Sequence, residues 1–164
     1  MSKQVEFRLA EPKESQKVLD LLANLEKQTK TFFVDSNIKE ISPATEAKQI
    51  DLMNHSKEKL MAVAAIGEDL IGIITIWEKQ DHQGEVGIAV LKQYQRMTIG
   101  SNLLQLAIDW GVNYSNLDSL YLEVYTNNLP AVHLYKQNRF EIIDKKNSPH
   151  GLIYEMLLPL DSSK

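Results

Sequence analysis

Apolar residues follow two rhythms along this chain, and the order in which the rhythms alternate predicts its elements. Val5, Phe7 and Leu9 alternate with polar neighbours, the period of a half-buried strand, and the run ends near Pro12. Val18, Leu21, Leu22 and Leu25 then recur at helical spacing, with Glu14 early and Lys27 and Lys30 late, as a helix dipole favours. Residues 31–41 keep no clean period and read as a loop. Ser42-Pro43 supplies an N-cap and a first-turn proline for a second helix from about Ala44 to Lys57.

From Lys59 the rhythm becomes that of strands: Leu60 to Ile66, a turn at Gly67-Glu68-Asp69, Leu70 to Trp77, a polar connector at Glu78 to Gly84, and Glu85 to Leu91. Three antiparallel strands joined by short turns are expected. Ile99, Leu103, Leu106 and Trp110 then form one stripe of a long amphipathic helix. Leu120, Leu122 and Val124 alternate with Tyr121, Glu123 and Tyr125, and Asn127-Asn128-Leu129-Pro130 opens a helix reaching roughly Asn138. Phe140 to Ile143 and Leu152 to Leu158 complete the strands. Helices lying before and after a central hairpin region predict a mixed α/β domain, a single one with its core at about residues 4–159. No repeat, linker or low-complexity segment interrupts it.

Composition narrows the chemistry. With 43% apolar and 24% charged residues, the 164-residue chain has ample material for a core and lacks the signature of disorder. A net charge of −4 with scattered Lys and Arg argues against nucleic acid and suits a neutral or cationic substrate. The absence of cysteine excludes disulfides, thiolate metal sites and a cysteine nucleophile. No His-x-x-x-His or comparable spacing appears, so no metal is expected. The first residues lack the apolar core of a signal peptide, and no run approaches the ~20 apolar residues of a membrane span. A cytoplasmic protein without membrane contact is the expectation.

Function is expected at residues 85–101, where an apolar strand runs through a polar, Gly-terminated loop into the amphipathic helix. A helix N-terminus offers unpaired N–H groups and the positive end of a dipole, so such a join seats phosphate. Its Gln95-Arg96-Met97-Thr98-Ile99-Gly100 is similar to the Gln/Arg-x-x-Gly-x-Gly/Ala motif of the Gcn5-related N-acetyltransferase (GNAT) superfamily. A second block, Asn128-Leu-Pro-Ala131-Val-His-Leu134-Tyr135 through Phe140, resembles that family's Asn-x-x-Ala-x-x-Leu-Tyr-x-x-x-Gly-Phe. Two blocks in the right order outweigh either alone. Two positions depart from the pattern. Thr98 replaces a glycine that lets backbone approach phosphate, and Arg139 replaces the glycine at a helix end, where Asn138 is expected to take the left-handed turn.

The resemblance implies a mostly antiparallel central sheet flanked by helices on both faces, with acetyl-CoA as co-substrate. It places the pyrophosphate on Gln95, Arg96, Met97, Thr98, Ile99, Gly100 and Ser101, and the pantetheine arm along the backbone of Ala89, Val90 and Leu91, with an N–H near Val90 or Leu91 for the oxyanion. Tyr135 stands where the family has a general acid for the departing thiolate; a tyrosine packed on the sheet is the plainer account. Asn128 suits both a helix cap and a cofactor contact. Glu85 is the candidate base, with Glu123 its rival and a cation-binding or solvated ladder residue otherwise; His82 lies near in sequence. Trp77, Phe32, Phe33 and Tyr154 are candidates for the acceptor side. The implied activity is acetyl transfer to a small amine, peptide or protein amine by direct attack in a ternary complex, with a homodimer left open. A non-catalytic acyl-CoA-binding or sensing module is the alternative.

Overall fold

A computed structural model describes residues 4–28, 40–95 and 98–160. Strand β1 (Val5–Leu9) leads through a short 3-10 turn into helix α1 (Ser15–Gln28), and α2 (Pro43–Asn54) follows. Strands β2 (Leu60–Ile66), β3 (Asp69–Gln80) and β4 (Gln83–Val90) come next, then α3 (Ile99–Asn113), β5 (Ser119–Tyr125), α4 (Leu129–Gln137), β6 (Glu141–Ser148) and β7 (Gly151–Pro159). The seven strands form one sheet in the order β1-β2-β3-β4-β5-β7-β6. All pairs are antiparallel except β4–β5. Among the described residues no helix is long and apolar enough to cross a membrane.

Each sheet face buries against its own helices. Strand β2 is buried on both faces, so its sequence is one apolar run and not an alternation. Met61, Val63, Ala65 and Ile73 pack with Val18, Leu21 and Leu25 of α1 and with Ile50 and Met53 of α2. Ala62, Ala64, Ile74, Ile76, Leu120 and Leu122 pack on Leu103, Leu104 and Ala107 of α3 and on Val132 and Tyr135 of α4. The Ser42 hydroxyl accepts the Thr45 N–H at 3.1 Å, ahead of Pro43 in the first turn of α2, as the dipeptide predicts.

Two strands are longer than the apolar pattern suggests. Residues 78–84 are not a connector: β3 continues to Gln80, only Asp81 and His82 turn the chain, and His82 sits at φ 61°. These strand ends project into solvent and carry polar residues, so they leave no periodic trace. Strand β6 likewise runs on to Ser148, exposed almost throughout, at the sheet edge. At the end of α4 Arg139, not Asn138, takes the left-handed conformation (φ 72°), because Asn138 stays in the last turn with its N–H on Leu134 O.

Candidate functional site

The one parallel pair shapes the site. Strands β4 and β5 are in register only at Gln83↔Ser119, Gly84↔Leu120 and Glu85↔Tyr121, and beyond those rungs they part. From Val86 to Val90 the β5-facing edge of β4 has no strand beside it. Gly84 permits the close approach at the apex: a Cβ there would lie 2.5 Å from Ile76 Cγ2 and 2.7 Å from Leu117 Cδ1. A cavity of about 530 Å³ fills the gap, within the range of small-molecule sites.

Nine of the residues singled out in the sequence meet on this cavity. Trp77, Glu85, Ala89, Val90, Gln95, Gly100, Glu123, Asn128 and Tyr135 all line it. Leu91, Thr98, Ile99 and Ser101 do not: Ile99 is buried in the core, and the Leu91 N–H donates to Ile71 O at 2.9 Å, toward β3. Leu91 is therefore unavailable to an oxyanion. Because successive strand residues alternate, the N–H groups of Val86, Ile88 and Val90 point into the gap. The Val90 carbonyl faces the same way and accepts the Gln95 side-chain amide at 3.2 Å. Arg96 and Met97 lie outside the described residues, as do Phe32 and Phe33.

At the upper end of the gap α3 begins, its N-cap Thr98 left-handed at φ 61°. That conformation explains why glycine suits the position: a β-branched residue is strained there. Gly100, in the first turn, faces the cavity, and a Cβ added to it would meet only Ile88 Cδ1, at 4.0 Å. The protein does not use that space. A helix N-terminus with open room above it fits a phosphate-bearing ligand.

Tyr135 is 7% exposed and stacks edge-on against Phe140, ring centroids 5.9 Å apart. Burial pushes its phenol up to about 12, so the proton stays on at neutral pH. Its ring packs on the sheet while its side chain borders the cavity. Asn128 caps α4, Oδ1 accepting the Ala131 N–H at 3.4 Å, while lining the same wall.

On the α1–α2 side of the sheet, Trp77 stands opposite Glu85, and Glu85 opposite Tyr121. Glu123 faces Glu155 of β7 directly, two like charges that a ladder tolerates only with compensation. The buried Tyr121 hydroxyl lies between them, 2.8 Å from Glu123 Oε2 and hydrogen-bonded to Glu155. Lys146 Nζ sits 3.0 Å from Glu123 Oε2 and 3.9 Å from Glu155 Oε1, and Lys79 Nζ lies 4.0 Å from the Tyr121 ring centroid. Burial works to raise the Glu123 carboxyl, but hydrogen bonds from Lys146 and Tyr121 outweigh it and hold the pKa below the usual range. Burial and the two carboxylates together drive the Tyr121 phenol far up. Glu123 is thus committed to an ion pair, and Glu85 lines the same wall without one among the described residues.

The remaining candidates fall elsewhere. His82 closes the β3–β4 turn, ring Nδ1 3.2 Å from Asn116 O and carbonyl accepting the Asp118 N–H, and does not line the cavity. Tyr154 pairs with Val124 and packs toward the α3–α4 core. Tyr121, Glu155 and Lys146 were missed. The alternation Ile153, Glu155, Leu157 could have signalled Glu155, but Lys146 sits in a strand without apolar periodicity. Among the described residues no group of His, Cys, Asp or Glu could hold a metal ion.

A sequence model of the acetyltransferase (GNAT) family matches residues 20–140. The chain belongs to the GNAT family. It is 45% identical over 56 residues to an N-alpha-acetyltransferase of Sulfurisphaera tokodaii, 34% of each chain. It is 32% identical over 84 residues to the L-amino acid N-acetyltransferase AaaT of Escherichia coli, 49% of this chain and 52% of that one. These matches span between a third and about half of the relatives' length. A GNAT-family acetyltransferase structure from Streptococcus pneumoniae superposes with TM-score 0.88 at 24% identity, covering 96% of this chain and 100% of that one. The yncA acetyltransferase of Salmonella typhimurium, solved with its cofactor acetyl-CoA, superposes with TM-score 0.80 at 14% identity over 98% and 96% of the two chains. The GNAT fold is therefore shared over nearly the whole length.

Proposed function

We propose that this GNAT protein is an N-acetyltransferase that moves an acetyl group from acetyl-CoA to a primary amine by direct attack in a ternary complex. The observation that carries the reading is the gap between β4 and β5, which has α3 opening at one end and Glu85, Trp77 and Tyr135 on its walls. Gln95 and the start of α3, with the space above Gly100, would hold the pyrophosphate, and Asn128 the arm. The Val86, Ile88 and Val90 N–H groups would pair with that arm as an added strand and stabilise charge on the acyl oxygen. Acetyl-CoA supplies the activated thioester.

Glu85 takes the proton from the acceptor amine, directly or through water, since only the neutral amine is a nucleophile. Tyr135, kept protonated by burial, gives its proton toward the sulfur. Burial that raises the phenol would raise the pKa of a thiol leaving beside it in the same direction, which makes the transfer feasible. Trp77, 37% exposed at the mouth, is a wall for the acceptor's apolar part. The relatives named N-alpha-acetyltransferase and L-amino acid N-acetyltransferase support an acceptor bearing an α-amine. The cysteine-free composition supports a cytoplasmic location.

A CoA-release assay over amines and short peptides tests the reading. Tyr135→Phe and Glu85→Gln are each expected to lower kcat by 10²-fold or more, the range of general acid–base contributions. Calorimetric CoA binding with no thiol released on any acceptor would convert the proposal into an acyl-CoA-binding module. Tyr135→Phe with intact turnover would remove the general-acid role.

A further inference from the structure

We propose that Lys146 is a specificity determinant of this site, an internal cation that holds the Glu123–Glu155 pair and so restricts the acceptor to one bearing a single ammonium group. The inference rests on the acetyl-transfer reading for its substrate, but its geometry is independent of it. Glu123 has one flank on the cavity and the other on Lys146, which reaches it from the edge strand β6 and does not itself line the cavity. Glu123 and Glu155 are opposed across β5 and β7, pinned side by side by the one Tyr121 hydroxyl, and two adjacent anions there demand a cation.

The charge on this wall decides what it accepts. Glu85 and Glu123 line the cavity and Glu155 stands behind Glu123; Lys146 pairs with the latter two, and among the described residues Glu85 has no ion-pair partner. Glu85 is thus the carboxylate left on the wall to draw in one ammonium group. A polyamine presents a second and a third cation that find their natural partner already taken. Lys146 acts here as repulsion against the wrong acceptor, at no cost in contacts to the right one. Without it, Glu123 and Glu155 would be left half-buried, side by side and unpaired, a strong site for an added ammonium.

Lys146→Met keeps the length of the side chain and removes its charge; Lys146→Arg keeps the charge. Spermidine binding is read by calorimetry in the presence of CoA, and KM and kcat for spermidine and for a short peptide with a free α-amine are read by CoA release. The wild type is expected to show no measurable spermidine binding. Lys146→Met should bind it at least tenfold more tightly, with affinity falling as salt rises, and the gain in turnover should appear in KM and not in kcat. Lys146→Arg should restore rejection, and adding Glu155→Gln to Lys146→Met should abolish the new binding. If Lys146→Met does not fold, Lys146→Gln serves in the same titration.

Spermidine bound or acetylated by the wild type as readily as the peptide would overturn the proposal. So would a folded Lys146→Met or Lys146→Gln whose spermidine affinity is unchanged. A wild type that acetylates nothing, beside a Lys146→Met that gains spermidine binding, would sink the enzymatic reading and leave the role of Lys146 standing.

Discussion

Thr98 is one of two residues at which this chain departs from the GNAT motifs, and the structure gives the departure a backbone cost. Its φ of 61° lies in the left-handed region, where a β-branched side chain costs about 1–2 kcal/mol. Its side chain does not cap α3, so replacing it sacrifices no helix cap. Thr98→Gly relieves the conformational cost but adds backbone entropy to the unfolded chain, worth about 0.5–1 kcal/mol. The expected net gain is about 0.5 kcal/mol, read from the urea midpoint, together with tighter acetyl-CoA binding by calorimetry as backbone and phosphate approach more closely. A loss of stability would mean that the threonine side chain contributes more than its strained backbone costs. The substitution was legible in the sequence as a threonine where a glycine is usual; its left-handed backbone was not, because one residue type does not report its own φ. Arg139 makes the same point, carrying φ 72° in a place where Asn138 was the chemically natural choice.

At the scale of elements, what the sequence exposed and what it hid divide along burial. Strands β2 and β5 and helices α1 and α3 pack apolar faces, and their periods were readable. The far ends of β3 and β6 lie in solvent, so the feature that defines them is backbone pairing, which leaves no mark on composition. The parting of β4 from β5 was hidden for a related reason: register between distant segments is set by packing, and Glu85↔Tyr121 as the last rung is written nowhere locally. Gly84 is the one local sign of it, and it explains a prediction. Gly84→Ala would force its methyl into Ile76 and Leu117, both in the core, at separations that real Cβ atoms do not adopt. Overpacking of this kind costs about 1–3 kcal/mol, which for a domain of this size lowers Tm by roughly 5 °C. Since the strain sits at the apex of the gap, acetyl-CoA affinity should fall with it; an unchanged Tm would show that β4 can shift there without cost.

For the whole molecule, two buried carboxyls give stability opposite dependences on pH. Glu14 is nearly buried at the entry to α1, hydrogen-bonded by Arg8 of β1 with Nη1 3.0 Å from Oε2, and it also accepts the Glu11 N–H at 3.0 Å. The Arg8 hydrogen bond, against the opposing effect of burial, holds its pKa below the ordinary value. Its stabilisation is present above the unfolded carboxylate pKa and is lost as pH falls through the lowered folded one. Glu46, 3% exposed on α2, is shifted the other way, raised by burial. An acid with a raised folded pKa binds its proton more tightly in the native state, so stability declines as pH climbs from the unfolded value through the folded one, and above both the penalty is complete. Glu46→Met, a helix-compatible replacement of similar size, should therefore stabilise the protein at pH 7, raising its urea midpoint. At pH 4 the gain should shrink, because Glu46 is then largely protonated in both states. Urea midpoints of the two proteins between pH 4 and pH 8 test this: their separation should widen with pH and then level. A separation constant across that range would show that the substitution acts through packing alone and that the buried carboxyl carries no electrostatic cost.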